Sequence, residues 1–490
     1  MKKHLFLLCG LFGLTLQDNY AQSATSSSFG EVTPTHVLTL QESIDYGIKN
    51  NLQLKQSELA VKTSDNTYAQ SKWLKYPSVN GGTNISTFTG RNVDPFSNSI
   101  VTTAIGTNNF GVNASVPIFN GFEIQNTISR NALDLEANRL DYEAIKNSIS
   151  LQIIVAYLGI LSSEDQIEVA QKQLEVTRLQ FERTNKLVQA GSVPMVNLYD
   201  LEAQLANDEL QVVNAQNALE NAKLTLKQAL NMPATETIKV VRVDVPNPAI
   251  QPYPQTAQEI YERAIGYLPE VKAAATRIEL ANKTIEIARA AALPRISLNT
   301  GWGTTYSTAA KSVIPGEETF QQLPASATFD GQTVPFILNL PQQSFTRENI
   351  PYFRQVNNNQ NVNLSLSVQI PIFNGYASKY RVQGAQIQKA RATIQAESTQ
   401  LTIRQNIDQA YINMLNASRR YMATKTQVDA LQKSFEAATS RFEAGASNLV
   451  DYNLSKTNLD RALVNLIQSK YDFVFRLKIL DFYQNKPLVF

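Results

Sequence analysis

Apolar residues recur along most of this chain with the spacing of packed helices. From Leu133 they step by four and three through Ala137, Leu140, Ala144, Asn147, Leu151, Ile154, Leu158 and Leu161, polar only at Asn147. A second run repeats the spacing through Leu201, Leu205, Asp208, Val212, Ala215, Leu219, Ala222, Leu226 and Ala229. Such seams predict coiled-coil pairs, and their alanines let two helices approach closely. No proline interrupts residues 118–193 or 372–486. Taken as continuous from Phe122 to Ala190, one helix would extend about 100 Å at its rise of ~1.5 Å per residue. No compact domain of this length has that dimension.

Where the helical spacing stops, period-two alternation takes over. Val362, Leu364, Leu366, Val368, Ile370 and Ile372 share one face, and Asn363, Ser365, Ser367 and Gln369 the other. Ile296, Leu298, Thr300, Trp302, Thr304 and Tyr306 alternate with Ser297, Asn299, Gly301 and Gly303. Val79, Thr83 and Ile85, then Phe110, Val112, Ala114, Val116 and Ile118, repeat the pattern earlier. Strands are therefore expected at about 77–89, 108–119, 294–306 and 361–373. Runs of about 10–12 residues match a bilayer crossed at a tilt. Trp302, Tyr306, Phe110, Phe119 and Phe373 near strand ends suit either an interfacial girdle or ordinary packing. Four strands leave two open edges, so a lipid-embedded sheet has to pair with copies of itself. Three copies supply twelve strands, and a barrel lined by Ser, Asn, Gln and Gly encloses water.

The chain is duplicated. Val116-Pro117-Ile118-Phe119-Asn120-Gly121 returns as Ile370-Pro371-Ile372-Phe373-Asn374-Gly375, an offset of 254. The same offset pairs Ala156-Tyr157 with Ala410-Tyr411, Phe181-Glu182 with Phe435-Glu436, and Ala190-Gly191 with Ala444-Gly445. Upstream, Lys75-Tyr76-Pro77 matches Ala292-Leu293-Pro294 at an offset of 217, which leaves 37 inserted residues between Pro294 and Ile370. That insertion, about Ser307 to Asn359, reads as a surface loop that either caps the barrel mouth or varies freely. Each half runs leading helix, two strands, long helix, return helix. The first occupies 38–231, a proline-rich linker 232–256 and the second 257–485. Gly191 and Gly445 mark the hairpin tips, where glycine ends one long helix before the next begins.

Residues 1–21 have the build of a secretory signal: Lys2 and Lys3, an apolar stretch from Leu5 to Leu16, and a cleavable boundary near Tyr20-Ala21-Gln22. Cleavage removes the one cysteine, Cys9, and one of two histidines, His4. Cys9 reads as part of the apolar stretch, with lipidation as the alternative. An exported chain without disulfides holds together by packing or assembly. With 44 Lys+Arg against 42 Asp+Glu, and about +1 after cleavage, neither nucleic-acid binding nor polybasic membrane attachment is indicated. No later segment has the ~18 consecutive apolar residues of a membrane helix, so a membrane crossing falls to the strands. No Cys-His metal spacing, phosphate-binding glycine loop or Gly-x-Ser-x-Gly marks an enzyme or a cofactor site. Five methionines and one remaining histidine argue against a dedicated copper or silver route.

The two Pro-Ile-Phe-Asn-Gly strand exits, at Pro117, Asn120, Gly121 and at Pro371, Asn374, Gly375, lie in register with the Gly191 and Gly445 hairpins. Together they make the chain, from about Leu38 to Tyr483, resemble the TolC family of outer membrane efflux proteins, also called outer membrane factors. The resemblance implies an α+β membrane protein. Its trimeric twelve-stranded outer-membrane β-barrel, four strands per chain, continues into a long periplasmic α-helical coiled-coil barrel. It further implies a homotrimer in outer membrane lipid, a periplasmic membrane fusion protein as adaptor, an inner membrane pump of RND, ABC or MFS type, and no cofactor. The expected function is a passive exit channel for efflux or type I secretion. The competing expectation is an exported coiled-coil scaffold or adhesin without a pore.

The resemblance also places a periplasmic gate. Asp451 falls at the family's first gate aspartate, where three copies would form an acidic ring favouring cations. By itself it also reads as a solvated carboxylate favoured by a helix N-terminus. Leu454 stands at the second acidic position, Ser447 at the gate arginine, Asn197 at that arginine's acidic partner and Phe442 at the gate aromatic. An arginine–carboxylate latch is therefore not expected, and Asp200 is the candidate for a replacement ring.

Overall fold

The computed structural model describes residues 35–93, 98–102, 104–243 and 253–486; the expected signal and the middle of the proline-rich segment lie outside them. The first half contains β1 (Thr35–Leu38), α1 (Leu40–Asn50), α2 (Leu52–Trp73), β2 (Ser78–Phe88), β3 (Asn92–Val93), β4 (Ile100–Val101), β5 (Ile105–Phe119), α3 (Glu123–Gln189) and α4 (Val196–Leu230). The second contains β6 (Thr237–Val240), α5 (Ala257–Tyr267), α6 (Pro269–Ala290), β7 (Arg295–Ser307), β8 (Lys311–Phe329), β9 (Gln332–Asn349), α7 (Tyr352–Asn358), β10 (Asn361–Gln369), α8 (Ala377–Glu443) and α9 (Leu449–Phe482). The long helices α3 and α8 have 67 residues each, in register at the sequence offset.

Four expectations need correction. The leading helix of each half is two helices. Asn51 ends α1 and caps α2 by accepting from Leu54 N at 3.1 Å, while Pro269 opens α6 where its missing N–H costs nothing. Both α1 and α5 start at capping boxes, Thr39 with Glu42 and Thr256 with Glu259. The segment 232–256 is not all linker, because Thr237–Val240 forms β6, paired in parallel with Thr35–Leu38. The strand expected over 361–373 ends at Gln369, whose partner Arg295 is the first residue of β7, so no β7 residue lies opposite Ile370 onward. The inserted loop is instead an antiparallel ribbon, β8 with β9, closed by Asp330-Gly331, both at positive φ. That turn matches the twist of paired strands and suits an Asp-Gly pair.

The main sheet has the order β10-β7-β5-β2, all antiparallel. Opposed pairs such as Val112 with Trp302 and Leu366 with Leu298 set one apolar face. The other carries Asn113 and Asn363 against Gly301, where a Cβ would collide with both amides. The helices keep the same order: α2 packs on α3, α3 on α6, and α6 on α8. Each strand thus continues into the helix at its own place in the row, and the two edges are β2 with α2 and β10 with α8.

The core lies where α3 crosses α1, α4, β1 and β6. Ile153, Tyr157, Leu226 and Leu230 are fully buried there. Tyr157 donates to the carbonyls of Val241 at 2.5 Å and Leu38 at 3.3 Å, fastening both strands of the small parallel sheet to α3. Among the described residues, one helical stretch has the length and hydropathy of a membrane span, and it belongs to α3. Its apolar residues Ile153, Ile154, Leu158, Ile160 and Leu161 are consumed by this core. Beside it Asp165 pairs with Arg242 and accepts from the Tyr471 hydroxyl at 2.8 Å, tying α9 to the first half.

Candidate functional site

The strand-to-helix exits are built twice in one way. Gly121 and Phe122 have φ of 65° and 66°, and Gly375 and Tyr376 both have 62°. Two successive left-handed residues turn the chain from strand into helix. For Phe122 and Tyr376 that conformation costs roughly 1–2 kcal/mol each. An edge-to-face ring contact offsets part of it, Phe119 on Phe122 at 5.4 Å and Phe373 on Tyr376 at 5.7 Å. Asn120 and Asn374 carbonyls accept from Glu123 N and Ala377 N, both at 3.2 Å. Pro117 lies in β5 opposite Ser297, beside a bulge, whereas Pro371 lies beyond the end of β10.

The two exits differ in what surrounds the glycine. A Cβ on Gly121 would stand 2.8 Å from Leu293 Cβ and 2.9 Å from the Ala290 carbonyl, while one on Gly375 would meet nothing. Gly375→Ala should therefore cost about 1–2 kcal/mol from the left-handed backbone alone. Gly121→Ala should add overpacking of about 1–3 kcal/mol to that. Paired thermal melts of the two variants in detergent check the ordering, and equal losses would refute it.

At the far end, Gly191 and Gly445 both have φ of 72°. Ser192 N reaches Leu187 O and Gly191 N reaches Val188 O, each at 2.9 Å; Ala446 N and Gly445 N repeat this on Arg441 O and Phe442 O at 2.9 and 3.0 Å. These are Schellman closures, which satisfy the last carbonyls of each long helix. Asn448 caps α9 by accepting from Asp451 N at 2.8 Å. Asp451 lies exposed in the first turn of α9; Asp200 is exposed and Asn197 half-buried near the start of α4. Leu454 is also exposed. Phe442 instead packs on Tyr452, ring centroids 5.2 Å apart, in an apolar cluster with Phe181, Leu201, Phe435 and Leu449. Burial pushes the Tyr452 hydroxyl up to about 12, with Asp460, Glu443 and Asp208 adding to the effect. Arg183 on α3 pairs with Glu443 on α8 across the same joint.

Sequence reasoning passed over a buried ionic group above that cluster. Asp208, counted only as a seam position, is buried on α4 and accepts from Lys456 Nζ at 2.9 Å, Thr177 Oγ1 at 2.6 Å and Gln204 Nε2 at 2.8 Å. Lys456 also reaches Asp460 at 2.7 Å, and its side chain is 2% exposed. Burial raises the Asp460 carboxyl above the usual range, and Lys456 pulls against that shift. The group joins α3, α4 and α9, so it locks one helical hairpin to the other. A carboxylate flanked in its seam by Leu201, Leu205 and Val212 was the available signal, since such a charge needs a buried partner. Asp208 and Asp460 also line a cleft of about 510 Å³ between these helices, with Gln166, Gln204, Asn207 and Arg461 around it. Among the described residues, no group of three or more His, Cys, Asp or Glu is placed to hold a metal ion.

A sheet with one apolar face, feeding long helices in the same order, is an architecture shared with known proteins. The family model described as outer membrane efflux protein matches residues 44–232 and 260–480. The chain belongs to the outer membrane efflux protein family. Outer membrane efflux protein BepC of Brucella suis biovar 1 is 20% identical over 438 residues, 89% of this chain and 83% of BepC. Outer membrane protein TolC of Escherichia coli K12 is 22% identical over 68% of this chain and 60% of its own length. Among solved structures, CusC superimposes with a TM-score of 0.71 at 16% identity, over 95% of this chain and 96% of CusC. The CmeC outer membrane channel of Campylobacter jejuni gives 0.67 at 16% identity, over 92% and 87%. As an outer membrane efflux protein, the chain is a transport channel of the outer membrane, and its helices form the large periplasmic extension.

Proposed function

We propose that three copies close into one continuous duct, a twelve-stranded barrel in the outer membrane above a helical barrel in the periplasm. The observation that carries this is the pair of open edges. On edge helix α2, Leu52, Leu59 and Trp73 fall on a seven-residue period and are 67%, 61% and 68% exposed. On edge helix α8, Tyr380, Ile387, Ile394 and Leu401 follow the same period and are 57–66% exposed. These are half-seams of a coiled coil, each lacking its partner helix. They adjoin β2 and β10, the strands with unpaired edges, so one neighbour on each side satisfies both layers. Val362, Leu364, Leu366 and Val368 are likewise exposed on the apolar face of β10, which suits lipid and leaves the scaffold reading without an account of them.

The duct is passive. Cargo and energy come from an inner membrane pump through a periplasmic adaptor, which meets the tips where Val196, Tyr199, Val450 and Leu454 are exposed. Purified protein should run as a trimer by native mass spectrometry and conduct ions in planar bilayers. A trimer with no conductance would remove the duct. Asp451, exposed in the first turn of α9, lines the narrow end as an acidic ring, with Asp200 as a second candidate. Asp451→Asn should lower the cation-to-anion permeability ratio, read as a shift of reversal potential in a salt gradient. An unchanged potential takes Asp451 out of the pore.

A further inference from the structure

The ribbon of β8 and β9 is the largest element the channel leaves unassigned. It stands on the end of the sheet remote from the long helices, since β7 leads into it and β10 follows it. Its foot is fixed. The buried Gln355 side chain accepts from Ser307 N at 3.0 Å and donates to the carbonyls of Ser307 and Ile350 at 3.0 and 2.9 Å. Tyr352 packs at a tilt against Tyr306 with centroids 4.6 Å apart, and Asn359 donates to the Thr305 carbonyl at 2.6 Å. With 19 residues in β8, the ribbon rises about 60 Å at ~3.3 Å per residue.

Its chemistry is unlike that of a solvated loop. From Thr319 to Thr346 the one charged residue is Asp330, in the turn. One face carries Leu323 opposite Leu338, Ala325 opposite Phe336 and Ala327 opposite Val334. The other carries Phe320 opposite Pro341, Pro324 opposite Ile337 and Ser326 opposite Pro335. Proline has no N–H, so these last pairs are the non-hydrogen-bonded ones, whose backbone groups point out of the ribbon. The prolines thereby interrupt both outer edges, and a further strand finds no continuous ladder to join. The remaining outward N–H and C=O groups still need water, which excludes immersion in hydrocarbon. The large side chains of both faces, Phe336 and Leu338 on one and Phe320 and Ile337 on the other, are exposed in the single chain.

Two unlike apolar faces between interrupted edges suit a contact of unlike surfaces, the kind that closes a ring under threefold rotation. β9 returns through α7 into β10, the edge that meets the next copy, so each ribbon rises beside a subunit joint. We propose that the ribbons of the three copies pack on one another, the Leu338 face of one on the Ile337 face of the next. They form an apolar collar that prolongs the duct outside the cell. This rests on the homotrimeric reading given above.

Cys9 is the only cysteine in the sequence and belongs to the expected signal, so introduced thiols report without background. Val334→Cys, Phe336→Cys or Leu338→Cys on the first face would each be combined with Ser326→Cys or Gln322→Cys on the second. The purified trimer would be oxidised in detergent and read on a non-reducing gel. At least one combination should give covalent trimer, while every single variant stays at the monomer position. A trimer by native mass spectrometry that never cross-links overturns the collar alone, as does cross-linking by single variants, which would put like face on like face. A monomer by native mass spectrometry overturns the homotrimer and the collar with it.

Discussion

Lys456→Met should destabilise the periplasmic helices by about 3–5 kcal/mol, the range for a buried ion pair that loses one partner. Lys456 is the only cation within bonding distance of Asp208 among the described residues, and Asp208 is 5% exposed. Removing the ammonium leaves both carboxylates, Asp208 and Asp460, without their cation in a largely buried seam. Thr177 and Gln204 still donate to Asp208, but neutral donors do not balance the charge. Asp208→Leu and Asp460→Leu combined with Lys456→Met should recover most of the loss, because an apolar seam then replaces the whole ionic group. Circular-dichroism melts of the two variants in detergent separate the cases, and a single variant as stable as the parent would refute the argument. Acid should also narrow the deficit. A carboxyl whose folded pKa is raised, as at Asp460, binds its proton more readily in the folded chain than in the unfolded one. Its contribution therefore moves toward the folded state as pH falls through the window between those two values, and away from it as pH rises. Without Lys456 to oppose the shift, that window widens.

Ile387→Glu together with Ile394→Glu should abolish the proposed trimer. Both side chains lie mostly exposed on the uncovered seven-residue stripe of α8, so the single chain loses little internal packing when they become polar. In the assembly the same carboxylates would be buried against a neighbour without partners, at several kcal/mol for each of three interfaces. Native mass spectrometry should show monomer, and bilayer conductance should vanish with it. Gln388→Glu with Gln395→Glu adds equal charge at exposed positions beside the stripe and should leave the trimer intact. If both pairs of changes behave alike, the stripe is not the interface.

Periodicity served well where a long element repeats one environment. The step of four and three from Leu201 to Ala229 marks positions that are all at least half-buried in the structure, Asp208 included. The duplicated Pro-Ile-Phe-Asn-Gly carried the family, because a strand ending in two left-handed residues needs glycine and tolerates few other solutions. Short elements escaped. β6 has four residues, too few for alternation to stand out from a proline-rich neighbourhood. The ribbon was hidden by Pro315, Pro324, Pro335 and Pro341, which argue against strands unless each faces an open edge. Asp330-Gly331 between apolar runs was the signal that outweighed them. Phe442 shows a different limit. Resemblance assigns it a place on a gate, and its packing against Tyr452 and Leu449 of the next helix is a tertiary contact that spacing along the chain does not show.

Strands and helices that keep the same neighbours in the same order impose a mechanical rule on the proposed tube. Its two storeys share a single circumference, counted in subunits. An added or missing copy would change the calibre of both at once. The membrane storey therefore cannot change its number of copies without changing the width of the periplasmic one.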